Sequence, residues 1–166
     1  MAGLPDAEKL CEQLARELKA QVKASTAMVG IHAGGAWVAE RLHAALGMQE
    51  PLGLLDIAFY RDDYARQGLA KDPKRSKIPF EVEGRDLLLV DDVLHTGRTV
   101  RAAMNELFDY GRPASIALVV LAERGGRQLP ICAQFTGARV EVPAGMRLRL
   151  KRDGKGKLSL ELERGA

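Results

Sequence analysis

Hydrophobic positions recur along this chain with two different periods. Over residues 6–23, Leu10, Leu14, Leu18 and Val22 fall at four-residue steps with Cys11 and Ala15 beside them, while Lys9, Arg16, Lys19 and Lys23 lie on the opposite face. That spacing predicts an amphipathic helix. A short apolar run over 26–31 ends in His32-Ala33-Gly34-Gly35, and a helical pattern follows to about residue 46, with Gly47 placed to end it. Further strands are predicted over 54–60, 86–91 and 115–121, the last two separated by a helix over 97–110 that Gly111-Arg112-Pro113 stops. Strand and helix alternate throughout, the order expected of an α/β fold with a mainly parallel central sheet flanked by helices. Beyond residue 123 the period changes. Residues 146–152 and 158–163 alternate polar and apolar around Asp153-Gly154-Lys155-Gly156, which predicts a C-terminal antiparallel hairpin over about 146–163.

Composition narrows the class without deciding the function. A chain of 166 residues with 46% hydrophobic content suits one domain over 1–166, able to bury a core without staples. Cys11 and Cys132 lie far apart with no metal-ligand spacing, which argues against a disulfide framework or zinc site and for a reducing cytoplasm, with both thiols expected in the core. The opening Met1-Ala2-Gly3-Leu4-Pro5-Asp6 has no charged and apolar leader pattern, and the apolar runs are strand-sized, so a cytoplasmic protein without a membrane partner is expected. A net charge of +3 is compatible with RNA or polyphosphate ligands. Aromatic residues make up 5% and are not interleaved with a basic stripe, so no stacking platform for single-stranded nucleic acid is indicated. The nucleotide-hydrolase loop G-x-x-x-x-G-K-[ST], the dinucleotide fingerprint G-x-G-x-x-G, H-E-x-x-H and G-x-S-x-G are all missing from the sequence.

The chemistry concentrates in residues 87–99. Leu87-Leu88-Leu89-Val90 meets the adjacent carboxylates Asp91 and Asp92, and Val93-Leu94-His95-Thr96-Gly97-Arg98-Thr99 then opens a helix. A strand buried on both faces would deliver the acids to the carboxyl end of a parallel sheet, where such sheets bind ligands. Ionised carboxylates only accept hydrogen bonds, so a neighbouring pair matches the two vicinal hydroxyls of a ribose and attracts Mg²⁺. The loop after them supplies donors: the hydroxyls of Thr96 and Thr99, a close backbone approach at Gly97, and the free N–H groups of a helix start, which favour a phosphate. A plain helix cap would need one acid and no Thr-Gly-Arg-Thr.

These residues resemble the type I phosphoribosyltransferases, marked by an apolar run, paired acids and a Thr-Gly-x-Thr loop. The sequence is most similar to the family of bifunctional pyrimidine-operon attenuators and uracil phosphoribosyltransferases, through Asp56-Ile57-Ala58-Phe59-Tyr60-Arg61-Asp62-Asp63, Val90 to Arg101 and Gly111-Arg112-Pro113-Ala114-Ser115-Ile116, over about residues 6–150. The resemblance implies transfer of ribose 5-phosphate from phosphoribosyl pyrophosphate to uracil, giving UMP and pyrophosphate, with Mg²⁺ as cofactor. It assigns Asp91 and Asp92 to catalysis, ribose and metal, and His95 to Thr99 to the 5-phosphate. It also implies a pyrophosphate loop at His32, Ala33, Gly34 and Gly35, where many relatives carry a Lys or Arg in place of His32.

Further segments carry expectations that the residues alone leave open. A polar lid at about 60–79 with Arg61 at its root is implied by the family, and a solvated charged loop has the same composition. A hood at about 123–137, with Arg124 holding the base, has an exposed Gly-Arg turn as its alternative. The resemblance also implies a homodimer or larger homo-oligomer that binds a pyrimidine-operon mRNA leader in response to uridine nucleotides. Arg139, Arg147, Arg149 and Lys151 are the candidate RNA contacts, although any charged hairpin would look the same. A nucleotide-sensing regulator without turnover and a phosphoribosyltransferase for another base are the competing readings.

Overall fold

The apolar runs become the strands of a five-stranded sheet, and the four-residue spacings become helices packed on it. The computed structural model describes residues 3–57 and 76–165. Within them the order is α1 (Ala7–Leu18), β1 (Ala27–Ile31), α2 (Gly34–Leu46), β2 (Gly53–Leu55), β3 (Asp86–Leu94), α3 (Arg98–Asp109), β4 (Ser115–Glu123), β5 (Phe135–Arg139), β6 (Met146–Arg152) and β7 (Leu158–Arg164). The sheet runs β2-β1-β3-β4-β5 with every neighbouring pair parallel, and β6 pairs with β7 as a separate antiparallel hairpin.

Alternate residues of β3 feed two cores. Leu88 and Val90 join Leu10, Leu14 and Leu18 of α1 and Val38, Ala39 and Leu42 of α2. Leu87 and Leu89 face the other way, onto Val100, Ala103 and Leu107 of α3. The hairpin adds Leu148, Leu150, Leu158 and Leu160 to the first core. It is anchored by polar contacts as well: Glu8 receives the N–H of Leu158 at 2.8 Å and pairs with Arg41 at 3.0 Å, which holds its carboxyl below the usual range. The Arg152 guanidinium lies 4.7 Å from the centre of the Trp37 ring, within cation–π range.

Strand order locates the ligand crevice. The chain leaves β1 through α2 to β2 on one side, then returns to β3 on the other, so the direction of winding reverses between β1 and β3. Parallel sheets open a crevice at the carboxyl ends of such a pair. Gly30 lets α2 lie close against β1 there, because a Cβ on it would stand 2.8 Å from Ala39 Cβ and 2.9 Å from Ala36 Cα.

Several boundaries differ from those the sequence suggests. The first helix ends at Leu18, and Val22 reaches the core from the turn that follows. β3 continues through both acids to Leu94, because β4 goes on pairing with it as far as Leu94 and Glu123 after β1 has stopped at Gly30 and Val90. β5 is a strand that the periodicity does not announce: its residues are half-buried or exposed, and its pairing to β4 comes from tertiary context. Its start falls inside the span read as a hood. Cys11 is buried and its thiol is pushed up to about 12 by burial, but Cys132 is exposed, on a loop rather than in the core. Of the expected strand over 54–60, Gly53–Leu55 is strand, and residues 58–60 lie outside the described residues, as do Arg61 and most of the expected lid.

Glu106 on α3 carries a pH dependence. Its Oε1 accepts the Ser76 hydroxyl at 3.1 Å, while Oε2 is buried with no hydrogen-bond partner among the described residues. Burial raises its pKa above the ordinary 4.5, the Ser76 bond opposes this, and the Asp56 and Asp109 carboxylates add to the rise. A carboxyl raised in the folded state keeps a proton that the unfolded chain has released, so between 4.5 and the raised value its contribution to stability falls as pH rises. Glu106→Gln is therefore expected to raise Tm at pH 7, with the gain shrinking toward roughly pH 4. Melting curves across that range test it, and equal Tm for variant and parent at pH 7 would contradict it.

Candidate functional site

The site forms where the start of α2 meets the end of β3. Gly34 and Gly35 open α2 directly after β1, and their missing side chains make room for the acids. A Cβ on Gly34 would sit 2.1 Å from Asp92 Oδ2, and one on Gly35 would sit 2.7 Å from the Val90 carbonyl and 3.2 Å from Asp91 Oδ1. The glycine pair thus serves the approach of a carboxylate pair. Asp91 is buried, at 5% exposure, and its Oδ1 accepts the Asp92 N–H at 2.8 Å, while Asp92 Oδ1 accepts the Val93 N–H at 2.7 Å. Both side chains are fixed by their own backbone, and Asp92 remains half-exposed. The His32–Ala33 peptide, at the turn between β1 and α2, is cis.

Immediately beyond the acids lies a pocket of about 150 Å³ lined by Asp91, Val93, Leu94, His95, Thr96, Gly97, Thr99 and Val100. Gly97 sits at φ 93° as the N-cap of α3 and has no side chain to cap it; the Arg98 N–H is donated to the Thr96 hydroxyl, and the next two residues of the helix start, Thr99 and Val100, line the pocket. Burial, then the nearby Arg124 and Arg127, lowers the His95 pKa from 6.5, so its ring is neutral near pH 7. The donors this loop offers to its pocket are therefore N–H and hydroxyl groups rather than an imidazolium.

The other predicted residues are distributed more widely. Arg98 turns away from the pocket, its Nε donating to Gln128 Oε1 at 2.7 Å, and the Thr96 hydroxyl accepts the Arg98 N–H at 3.2 Å. His32 and the exposed Ala33 flank the crevice on the β1 side, with the His32 N–H donated to the Leu55 carbonyl at 2.8 Å. Arg124 lines a second cavity of about 510 Å³ with Glu123, Arg127, Arg139 and Glu141, and its Nη1 donates to the Met146 carbonyl at 3.3 Å. The hairpin cations face carboxylates across the ladder: Lys151 reaches Glu163 at 2.7 Å and Glu161 at 3.2 Å, Arg149 reaches Glu163 at 3.4 Å and Arg147 reaches it at 3.6 Å. Arg139, at 88% side-chain exposure, has its Nε 4.0 Å from the Glu123 carboxylate. Sequence reasoning placed Arg127 and Gln128 within the hood but missed their contacts, which tie the 124–131 segment to the 93–99 loop over about thirty residues of chain. No local pattern marks such a contact.

A parallel sheet with paired acids at its switch point and a Gly97 turn into a helix start defines a phosphoribosyltransferase. The chain belongs to that family: the model of the phosphoribosyl transferase domain matches residues 4–143. Within the family it is similar to proteins named Bifunctional protein PyrR. That of Pseudomonas fluorescens is 48% identical over 97% of both chains, and that of Ralstonia nicotianae is 48% identical over 91% of this chain and 88% of its own. The fold is shared with a hypoxanthine phosphoribosyltransferase from Staphylococcus aureus, at TM-score 0.65 and 20% identity over 82% of this chain and 73% of that one. A purine phosphoribosyltransferase from Pyrococcus horikoshii matches at TM-score 0.59 and 21% identity, over 81% and 82% of the two chains.

The glycine–acid contact can be tested directly. Gly34→Ala places a methyl where Asp92 Oδ2 now lies, while alanine suits a helix start at least as well as glycine. The expected outcome is an unchanged Tm with phosphoribosyl transfer lowered roughly a hundredfold, the loss that follows from misplacing a reacting group by about an ångström. Steady-state rates beside melting curves decide it, and a variant with the parent's rate would show that Asp92 can be displaced without consequence.

Proposed function

We propose that this protein transfers ribose 5-phosphate from phosphoribosyl pyrophosphate to uracil, forming UMP and pyrophosphate. The observation that carries the reading is the pair Asp91 and Asp92, packed against Gly34 and Gly35 beside the pocket built by His95 to Thr99. In this reading the two carboxylates accept the ribose hydroxyls, the loop from Val93 to Thr99 donates to the 5-phosphate, and the 32–35 turn receives the pyrophosphate. Loss of pyrophosphate leaves positive charge on C1 and the ring oxygen, which the neighbouring carboxylates stabilise. No side chain need attack the sugar; alignment of base and donor does the work of a nucleophile. Main-chain groups near Arg124 read the uracil edge, and Arg61, outside the described residues, is assigned to the polyphosphate or to a dimer contact.

The acid pair also fits Mg²⁺. No cluster of three or more potential ligands occurs among the described residues, but this ion uses one or two carboxylates and completes its shell with water and substrate oxygens. When bound it would neutralise charge on the departing pyrophosphate. Asp91 and Asp92 would hold it.

The decisive measurement incubates the protein with phosphoribosyl pyrophosphate, Mg²⁺ and each of uracil, hypoxanthine, guanine, xanthine, adenine and orotate. Uracil is expected to yield UMP. A product from a purine alone would overturn the base assignment, and no product from any base would favour a nucleotide-sensing regulator. Replacing the acids by Asp91→Asn and Asp92→Asn keeps their size and removes their charge. The double variant is expected to lose UMP formation by at least a hundredfold, and parental rates in it would refute the ribose assignment.

A second, regulatory role is supported by the word bifunctional in the names of the relatives. We read it as binding of a pyrimidine-operon mRNA leader by a cytoplasmic homodimer or larger homo-oligomer. No helix among the described residues is long and apolar enough to cross a membrane. Arg139, Arg147, Arg149 and Lys151 are the proposed contacts. Glu161 and Glu163 offset the hairpin cations, so charge reversal there would crowd like charges and neutral replacement is the cleaner change. Arg147→Gln, Arg149→Gln and Lys151→Gln together are expected to abolish retention of leader RNA in a filter assay while uracil transfer persists. Cations that neutralise phosphates also give binding that weakens with salt. Undiminished retention by the variant would exclude the hairpin as the RNA face.

A further inference from the structure

Three successive carbonyls of the phosphate loop are held by the segment that follows β4. The Leu94 carbonyl accepts the Arg124 N–H at 3.0 Å, the His95 carbonyl accepts Arg127 Nη1, and the Thr96 carbonyl accepts the N–H groups of Gln128 at 2.9 Å and Leu129 at 3.2 Å. In a planar trans peptide the N–H points opposite the carbonyl it is joined to. Fixing these carbonyls on the 124–129 side therefore turns the N–H groups of His95, Thr96 and Gly97 away from it. All three residues line the 150 Å³ pocket. Close packing reinforces the arrangement, since a Cβ on Gly126 would stand 2.8 Å from the His95 ring and one on Gly97 would stand 3.0 Å from Ile131.

Arg127 is the side chain at the centre of this contact. Besides the His95 carbonyl, its Nε donates to the Ile131 carbonyl at 2.9 Å, Nη1 reaches the Arg124 carbonyl at 3.4 Å, and Nη2 pairs with the Glu123 carboxylate at the end of β4. One planar guanidinium thus joins a strand end, both ends of the 124–131 loop and the phosphate loop. Such a fork of fixed donors is a property of arginine that lysine does not share. Its side chain is half-buried, at 24% exposure.

We propose that Arg127 is a positioning residue which aims the Thr96 N–H at the 5-phosphate and so makes the phosphate cradle depend on the loop placed beside the base. The inference rests on the proposed transferase reading and adds to it a link between two ends of the substrate. A nucleotide held by its phosphate should feel the loss of Arg127, and a nucleoside lacking the phosphate should not.

The test compares parent, Arg127→Gln and Arg127→Lys by calorimetry with UMP and with uridine, and by steady-state kinetics with phosphoribosyl pyrophosphate. In the folded variants UMP affinity is expected to fall about tenfold and KM for phosphoribosyl pyrophosphate to rise by a similar factor, with uridine affinity unchanged and kcat altered less than KM. Arg127→Lys keeps the positive charge beside Glu123 and loses the fork, so it supplies the same comparison if Arg127→Gln does not fold. Variants whose UMP and KM values match the parent would overturn the proposal, as would a loss of uridine equal to the loss of UMP, which marks a merely structural role. A parent that binds no UMP and makes no nucleotide would instead overturn the transferase reading, and this inference with it.

Discussion

The contact on which the site depends is that between a glycine turn and a carboxylate pair. The Asp92 carboxylate occupies the space where a Gly34 Cβ would be, and the Val90 carbonyl and the Asp91 Cα crowd the place of a Gly35 Cβ. Gly30, one turn of chain earlier, removes another side chain so that α2 can lie against β1 at Ala36 and Ala39. Together these absences bring a helix start within reach of two acids at the reversal of the sheet.

Much of this could be read from the chain because it is local. The helical spacing of Leu10, Leu14 and Leu18, the apolar run before Asp91, the Gly97 turn and the alternating hairpin all rest on short-range periods or turn chemistry, and each appears where the pattern puts it. What escaped was set by distant neighbours. β3 outruns its pattern because β4 continues to pair with it, and β5 exists as a strand because β4 offers an edge to Phe135 and Thr136. Gly34 and Gly35 look like glycines for an anion, yet their immediate partners are Asp91 and Asp92, a relation between segments more than fifty residues apart.

Charge shows the same division. A row of Arg147, Arg149 and Lys151 reads as a basic surface until the register sets Glu161 and Glu163 opposite, and a cross-strand ladder then replaces an open positive face. Arg98 belongs by sequence to the phosphate loop and by structure to Gln128. Arg127 reverses the case: it reads as part of a Gly-Arg turn and proves to be bonded to the loop that the motif defines. Motif membership identifies the segment that does the chemistry, and the direction of each side chain is decided by what packs against it.

The hairpin has a consequence for where folding and chemistry divide along the chain. Every residue lining the two cavities around the site comes before position 142. Leu148, Leu150, Leu158 and Leu160 nevertheless complete the core beneath α1 and α2, and the Leu158 N–H occupies a carboxylate that α1 shares with α2. The helix whose first residues frame the acids is thus clamped on its far side by the hairpin strands β6 and β7. A chain that holds every one of those lining residues but lacks β6 and β7 would still present the apolar backs of α1 and α2 to water, so the residues that shape the crevice and the residues that seal the core behind it are separate stretches of the sequence.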